Sequence, residues 1–104
     1  MAKLIVAEIV VTPLGTAKTG LSDYIARAVE EVKKTGVKYQ LHPMGTVFEA
    51  PDLETACMVM KAAHRAVIKA GAKRVLTTLR IDERLDRPRT MEERVERVKA
   101  KIGG

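Results

Sequence analysis

Apolar residues recur along this chain in two rhythms, one of period two and one of period 3.6. Residues 3–12, rich in Ile and Val, read as a first strand. Pro13-Leu14-Gly15 ends it, and residues 16–20 form a loop. Ile25, Ala28, Val29 and Val32 then fall at helical spacing up to Lys34. Ser22 is the expected N-cap of that helix, and Gly36 its left-handed stop. Residues 37–42 and 46–50 pair as a hairpin around Pro43-Met44-Gly45. Asp52 is placed to cap a second helix, on which Leu53, Cys57, Met60, His64 and Val67 share one face, and Gly71 closes it. Residues 73–82 make a fourth strand, and residues 85–89, with Pro88, a loop. Thr90 caps a third helix through about Ile102, and Glu93 completes its capping box.

The order is β-α-β-β-α-β with an extra C-terminal helix. That is the ferredoxin-like α+β pattern, βαββαβ, with an antiparallel sheet. Residues 1–104 read as a single domain. Splitting the strands by their period separates two faces. In the first strand Ile5, Ala7, Ile9 and Val11 oppose Leu4, Val6, Glu8, Val10 and Thr12. In the fourth, Val75, Thr77, Leu79 and Ile81 oppose Leu76, Thr78, Arg80 and Asp82. Two helices cover one face, yet the other is apolar too. The third helix is one candidate cover. A second copy of the chain is the stronger one, because exposed apolar sheet faces mark interfaces. A homo-oligomer with sheets packed face to face is expected.

Two carboxylates interrupt the apolar strands, Glu8 and Glu49. In a ferredoxin-like sheet their strands are central neighbours. Unpaired buried carboxylates are costly, so each needs a cation or a hydrogen-bond donor. Arg80 is a candidate partner within the protein, and a ligand is the other.

Composition narrows the classes. Of 104 residues, 46% are hydrophobic and 31% charged, which argues against disorder. No apolar run approaches the ~18 residues of a membrane helix. The single cysteine, Cys57, forms no internal disulfide and fits a cytoplasmic protein. The formal charge is +6, but basic and acidic residues are interleaved, as on a solvated surface. The absence of Asn and the lone Gln40 suit a heat-adapted protein. Cys57 and His64 lack a third orienting group, so a buried structural role is expected for them. Two histidines and one cysteine at these spacings make no metal site. Central strands carrying carboxylates rather than aromatics argue against RNA recognition.

The segments "VTPLGT", "KYQLHPMGTVFEA", "KRVLTTLRIDER" and "TMEERVERVKAK" together resemble the small thiamine-binding-protein family, over essentially the whole chain. The patterns YxLxPMGTxxE and RVxTTxxIDxR carry most of the resemblance. It implies a ferredoxin-like fold and homotetramers built as a dimer of dimers. It also implies, for some members, binding of thiamine or its pyrimidine portion. The matching positions are Pro13, Gly15, Tyr39, Pro43, Gly45, Thr46, Glu49, Thr78, Asp82 and Arg84. The family often has Lys where this chain has Arg80, and frequently Gly where it has His42.

The chemistry suits such a ligand. A carboxylate, Glu49 or Glu8, can balance a thiazolium or bond an aminopyrimidine. Thr46 can donate or accept. Tyr39 or Phe48 can offer a ring to a cation, although core packing is the simpler role for Phe48. Gly45 suits a positive-φ turn. The expected ligand-binding residues are therefore Glu8, Tyr39, Gly45, Thr46, Glu49, Thr78 and Arg80. No catalytic residue, metal or cofactor is expected beyond bound thiamine, and neither a membrane nor nucleic acid as partner. The alternative is a regulatory or structural oligomer that binds an anionic metabolite at its subunit interface through Lys and Arg.

Overall fold

The structure, a computed structural model, describes residues 3–103. Its elements are β1 (Ile5–Pro13), α1 (Ser22–Lys34), β2 (Tyr39–His42), β3 (Gly45–Ala50), α2 (Leu53–Lys69), β4 (Val75–Glu83) and α3 (Met91–Ile102). The strands form one sheet in the order β2-β3-β1-β4, and every neighbouring pair is antiparallel. The α+β ferredoxin-like architecture expected from the pattern is the one observed, with β1 and β3 central.

Period two in β1 divides the sheet as expected. Ile5, Ala7, Ile9 and Val11 are buried against the helices, together with Phe48 and Ala50 of β3. Ala28 and Val32 of α1, Ala56, Val59, Ala63 and Val67 of α2, and Ala72 complete this core. Fully burying a side chain such as Phe48, Ile5 or Val32 contributes about 1.5–3 kcal/mol.

Local signals mostly hold. Asp52 accepts the Thr55 N–H at 2.7 Å and caps α2. Thr90 and Glu93 form the full capping box of α3. Gly36 and Gly71 both adopt positive φ beyond their helices.

Two expectations are corrected. Ser22 is the first helical residue of α1, not its cap. Leu21 is the N-cap, and no side chain bonds there. Of the expected α2 face, Leu53-Cys57-Met60-His64-Val67, only Val67 is fully buried; the buried residues are Ala56, Val59, Ala63, Ala66 and Val67. Small alanines let α2 approach α1 and the sheet closely. Cys57, Met60 and His64 are only half-buried, and Leu53 is exposed.

α3 covers only the end of the second sheet face near Glu49 and Asp82. Only Met91, its first residue, is buried, and Val95, Val98 and Ile102 stay exposed. The helix meets the sheet at β3. On the open face Leu76 is exposed and Val6 is buried.

Candidate functional site

Cross-strand partners point to the same side of a sheet. The observed register therefore sorts the expected ligand-binding residues. Glu8 pairs with Arg80 and with Val47, Val10 with Thr78, and Val6 with Glu49. Glu8, Glu49, Thr78 and Arg80 thus share the open face, where Gly45 pairs with His42. Tyr39 pairs with Phe48, and Thr46 with Ile9, on the helix-covered face. The structure brings together the first group and puts the other two residues across the sheet from it.

On the open face Glu8 and Glu49 are diagonal neighbours, as the central position of their strands implies. Both already have partners. Arg80 donates from Nε to Glu8 Oε1 at 3.0 Å, and a terminal guanidinium nitrogen lies 3.0 Å from the same oxygen. His42 Nε2 lies 3.1 Å from Glu8 Oε2. The Met44 N–H donates to His42 Nδ1 at 3.3 Å. Glu8 is thereby the hub that ties the β2–β3 turn to β1 and β4. His42 was not among the expected site residues. Its position beside Glu8 depends on register, which the sequence does not reveal.

Glu49 accepts the Met91 N–H at 2.8 Å. Lys38 Nζ stands 3.9 Å from the same carboxylate and also bonds Glu92 on α3. The carboxylate sits at the N-terminus of α3, where unsatisfied N–H groups and the helix dipole favour an anion. The question raised by a carboxylate in an apolar strand is answered within the fold.

Gly45 does not occupy a positive-φ turn. Its role is close approach. A Cβ there would lie 3.0 Å from Val10 Cγ2 and 3.2 Å from the Ile9 carbonyl oxygen. Phe48 is fully buried, so its ring offers no face to a cation. Tyr39 is half-buried against the same core.

Beneath the hairpin, between α1 and the sheet, lies a mainly apolar cavity of about 150 Å³. Ile25, Ala28 and Val29 of α1 line one side, and Val11 and Thr46 line the other. Pro43, Met44 and Gly45 form its hairpin end. Thr46 is the one buried polar residue among those described. A larger trough, about 990 Å³, runs along the outer side of α1 and α2. It is open and of mixed charge, and within it Lys34 pairs with Glu31 at 3.2 Å.

His64 Nδ1 and Thr77 Oγ1 lie 2.6 Å apart between α2 and β4, a contact that fixes the helix on the sheet. Among the described residues no three of His, Cys, Asp and Glu gather as metal ligands would. Among them, too, no helix is long and apolar enough to cross a membrane.

This arrangement defines a ferredoxin-like α+β protein with a small, partly open cavity at one end of its sheet. The chain belongs to the thiamine-binding protein family, whose sequence pattern matches residues 7–99. A UPF0045 protein of Methanothermobacter thermautotrophicus is 52% identical over 99 residues, covering 95% of this chain and 100% of that one. The crystal structure of a hypothetical protein from Methanocaldococcus jannaschii is 37% identical, with a TM-score of 0.80, and the match covers 99% and 98% of the two chains. A candidate thiamine biosynthesis/salvage protein from Thermotoga maritima is 28% identical, with a TM-score of 0.77, over 91% of this chain and 98% of that one.

Proposed function

We propose that this chain is a non-enzymatic, cytoplasmic binding protein for thiamine or a related pyrimidine, working as a homo-oligomer. The family it belongs to is named for thiamine binding, and a structural neighbour is named for thiamine biosynthesis or salvage. The observation that carries the reading is the cavity beneath the β2–β3 hairpin.

Size sets what the cavity can take. An apolar cavity of about 150 Å³ holds a benzene-sized ring. A whole drug-sized ligand needs about 300–1,000 Å³. The aminopyrimidine ring therefore enters, and the thiazolium stays at the mouth beside Pro43 and Met44. Thr46 supplies one hydroxyl that can donate to, or accept from, the ring substituents. Glu8, Arg80 and His42 act from the open face by holding the hairpin that forms the mouth. Thr78, beside Val10, and Tyr39, against Phe48, brace the strands around it.

The oligomer follows from what α3 leaves bare. Val95, Val98, Ile102 and Leu76 are exposed apolar groups that a second copy can bury. A dimer of dimers is the assembly that the family resemblance implies.

Titration calorimetry with thiamine, and separately with 4-amino-2-methylpyrimidine, tests the reading on the wild type and on Thr46→Val. Both ligands bind the wild type. Losing the hydroxyl weakens both by about tenfold, the worth of one hydrogen bond. Binding of neither ligand, or unchanged affinity in Thr46→Val, would remove the cavity as the site.

A further inference from the structure

Five of the chain's nine arginines, and none of its ten lysines, fall within residues 84–97. They occupy the loop after β4 and the first turns of α3. Two are committed. Arg84 donates to both carboxylate oxygens of Asp86, at 2.8 and 3.2 Å. Arg94 pairs with Asp82 and reaches the Arg89 carbonyl at 3.4 Å. Among the described residues Arg87, Arg89 and Arg97 take part in no ion pair.

Arg89 is the unusual member. Its Nε is buried and has no hydrogen-bond partner, the single such side-chain atom among the described residues. Burial first, then the guanidinium groups of Arg97, Arg87 and Arg84, pull Arg89 below the ordinary arginine value. Glu93 opposes them, with one of its carboxylate oxygens held by the Thr90 N–H at 3.1 Å. Asp86 is likewise held by Arg84. A buried Nε–H without an acceptor, on a half-buried guanidinium set among like charges, is unfavourable unless an anion accepts from it.

We propose that Arg87, Arg89 and Arg97 form a binding site for a phosphate group, inorganic or carried as a monoester on a small molecule, with the Arg89 Nε–H at its base. The choice of arginine over lysine favours a planar fork that grips an oxyanion through paired hydrogen bonds. Three free guanidinium groups suit a dianion with three accepting oxygens better than a carboxylate with two. The N–H groups of α3 are not the attraction, because Thr90 and Glu49 already accept from its first turn. This site is separate from the cavity. The loop leaves the sheet where Glu83 pairs with Ile5, whereas the cavity lies where Thr46 pairs with Ile9. It stands whether or not a pyrimidine binds.

Thermal unfolding read against phosphate concentration, with sodium chloride at matched ionic strength as reference, tests the site. Inorganic phosphate and glycerol 3-phosphate are the probes. The wild-type midpoint rises saturably with phosphate, as for any ligand bound only by the folded state. Arg89→Gln and Arg97→Gln each weaken the apparent affinity by at least about tenfold, the worth of one charge-assisted hydrogen bond. Arg65→Gln, on the outer face of α2, keeps it. Tighter binding of glycerol 3-phosphate than of phosphate identifies a monoester site, and equal or weaker binding a site for the free ion. If Arg89→Gln does not fold, Arg97→Gln decides. A midpoint that follows ionic strength alone, or equal weakening in Arg65→Gln, overturns the proposal. So does steeply salt-dependent binding of polyuridylate without a saturable phosphate response, which makes the arginines a nucleic-acid contact.

Discussion

The Glu49 carboxylate accepts the backbone N–H of Met91 at 2.8 Å, across forty-two residues of chain. A central strand thereby supplies an acceptor to a helix of which Met91 is the one buried residue. Met91 is buried, so its N–H has no water to turn to if the carboxylate is removed.

Replacing Glu49 with Ala should therefore destabilise the protein by about 1–3 kcal/mol, the penalty for an unsatisfied buried donor. Glu49→Gln keeps an accepting carbonyl and loses only the attraction to Lys38, so its loss is smaller. Urea unfolding followed by far-UV circular dichroism measures both. Equal losses in the two variants would mean that charge, not the Met91 bond, is what Glu49 provides.

Gly45 makes a second test. A methyl at this position meets a side chain and a backbone oxygen at once, and only the side chain can move. Gly45→Ala is expected to lose about 1–3 kcal/mol, typical of overpacking. Trimming the neighbour in Gly45→Ala/Val10→Ala relieves only part of the clash, because the Ile9 carbonyl remains. A single variant as stable as the wild type would show that the strand shifts freely here.

The two partners of Glu8 differ in exposure. The Arg80 side chain is 76% exposed and that of His42 is 29% exposed. Exposed ion pairs contribute about 0–1 kcal/mol, so Arg80→Ala changes stability little. His42→Ala removes a better shielded contact with Glu8 together with the acceptor of the Met44 N–H, so it loses more, about 0.5–1.5 kcal/mol for the hydrogen bond. Chemical denaturation ranks them, and an Arg80→Ala loss as large as that of His42→Ala contradicts the assignment.

Acid should weaken the fold through three carboxylates. Hydrogen bonding from Thr55, side chain first and then backbone N–H, holds Asp52 below the usual carboxylate range. The backbone of Thr90, then its side chain, does the same for Glu93, and the Arg84 side chain for Asp86. A depressed folded value means that the unfolded chain binds the proton more tightly. The stabilisation is complete above the unfolded values, near pH 4. It is lost as pH falls through the lower folded values. Asn caps a helix about as well as Asp. Asp52→Asn should thus match the wild type at neutral pH and fall less steeply in acid. Melting temperatures from about pH 6 to about pH 2 supply the comparison, and parallel curves would exclude Asp52 as a contributor.

Much of this was legible from residue order. The capping box at Thr90 and Glu93 is a local pattern, and local patterns survive folding. The two-residue period of β1 identified both sheet faces, and Glu8 and Glu49 stood out as carboxylates in apolar strands. Arg80 was legible as a partner, and it holds Glu8; His42, Met91 and Lys38 were not, because register and the docking of α3 decide them. A motif written along one strand also conceals that neighbours such as Gly45 and Thr46 point to opposite sides. In α2, the large residues suggested the wrong stripe. Alanine packs more closely than Met or Leu, so the contact face follows the small residues.

The pairing of β1 with β4 has a consequence during synthesis. Glu8 and Arg80, bonded across the sheet, are seventy-two residues apart in the chain. β3 leaves the ribosome early enough to cover one edge of β1. The other edge of this nine-residue strand stays bare until residues 75–83 emerge. For that interval each nascent chain displays an apolar strand with unpaired N–H and C=O groups, open to any neighbour translated from the same message. Completion of the sheet is a late, long-range closure, and the speed of elongation through the second helix sets how long the exposure lasts.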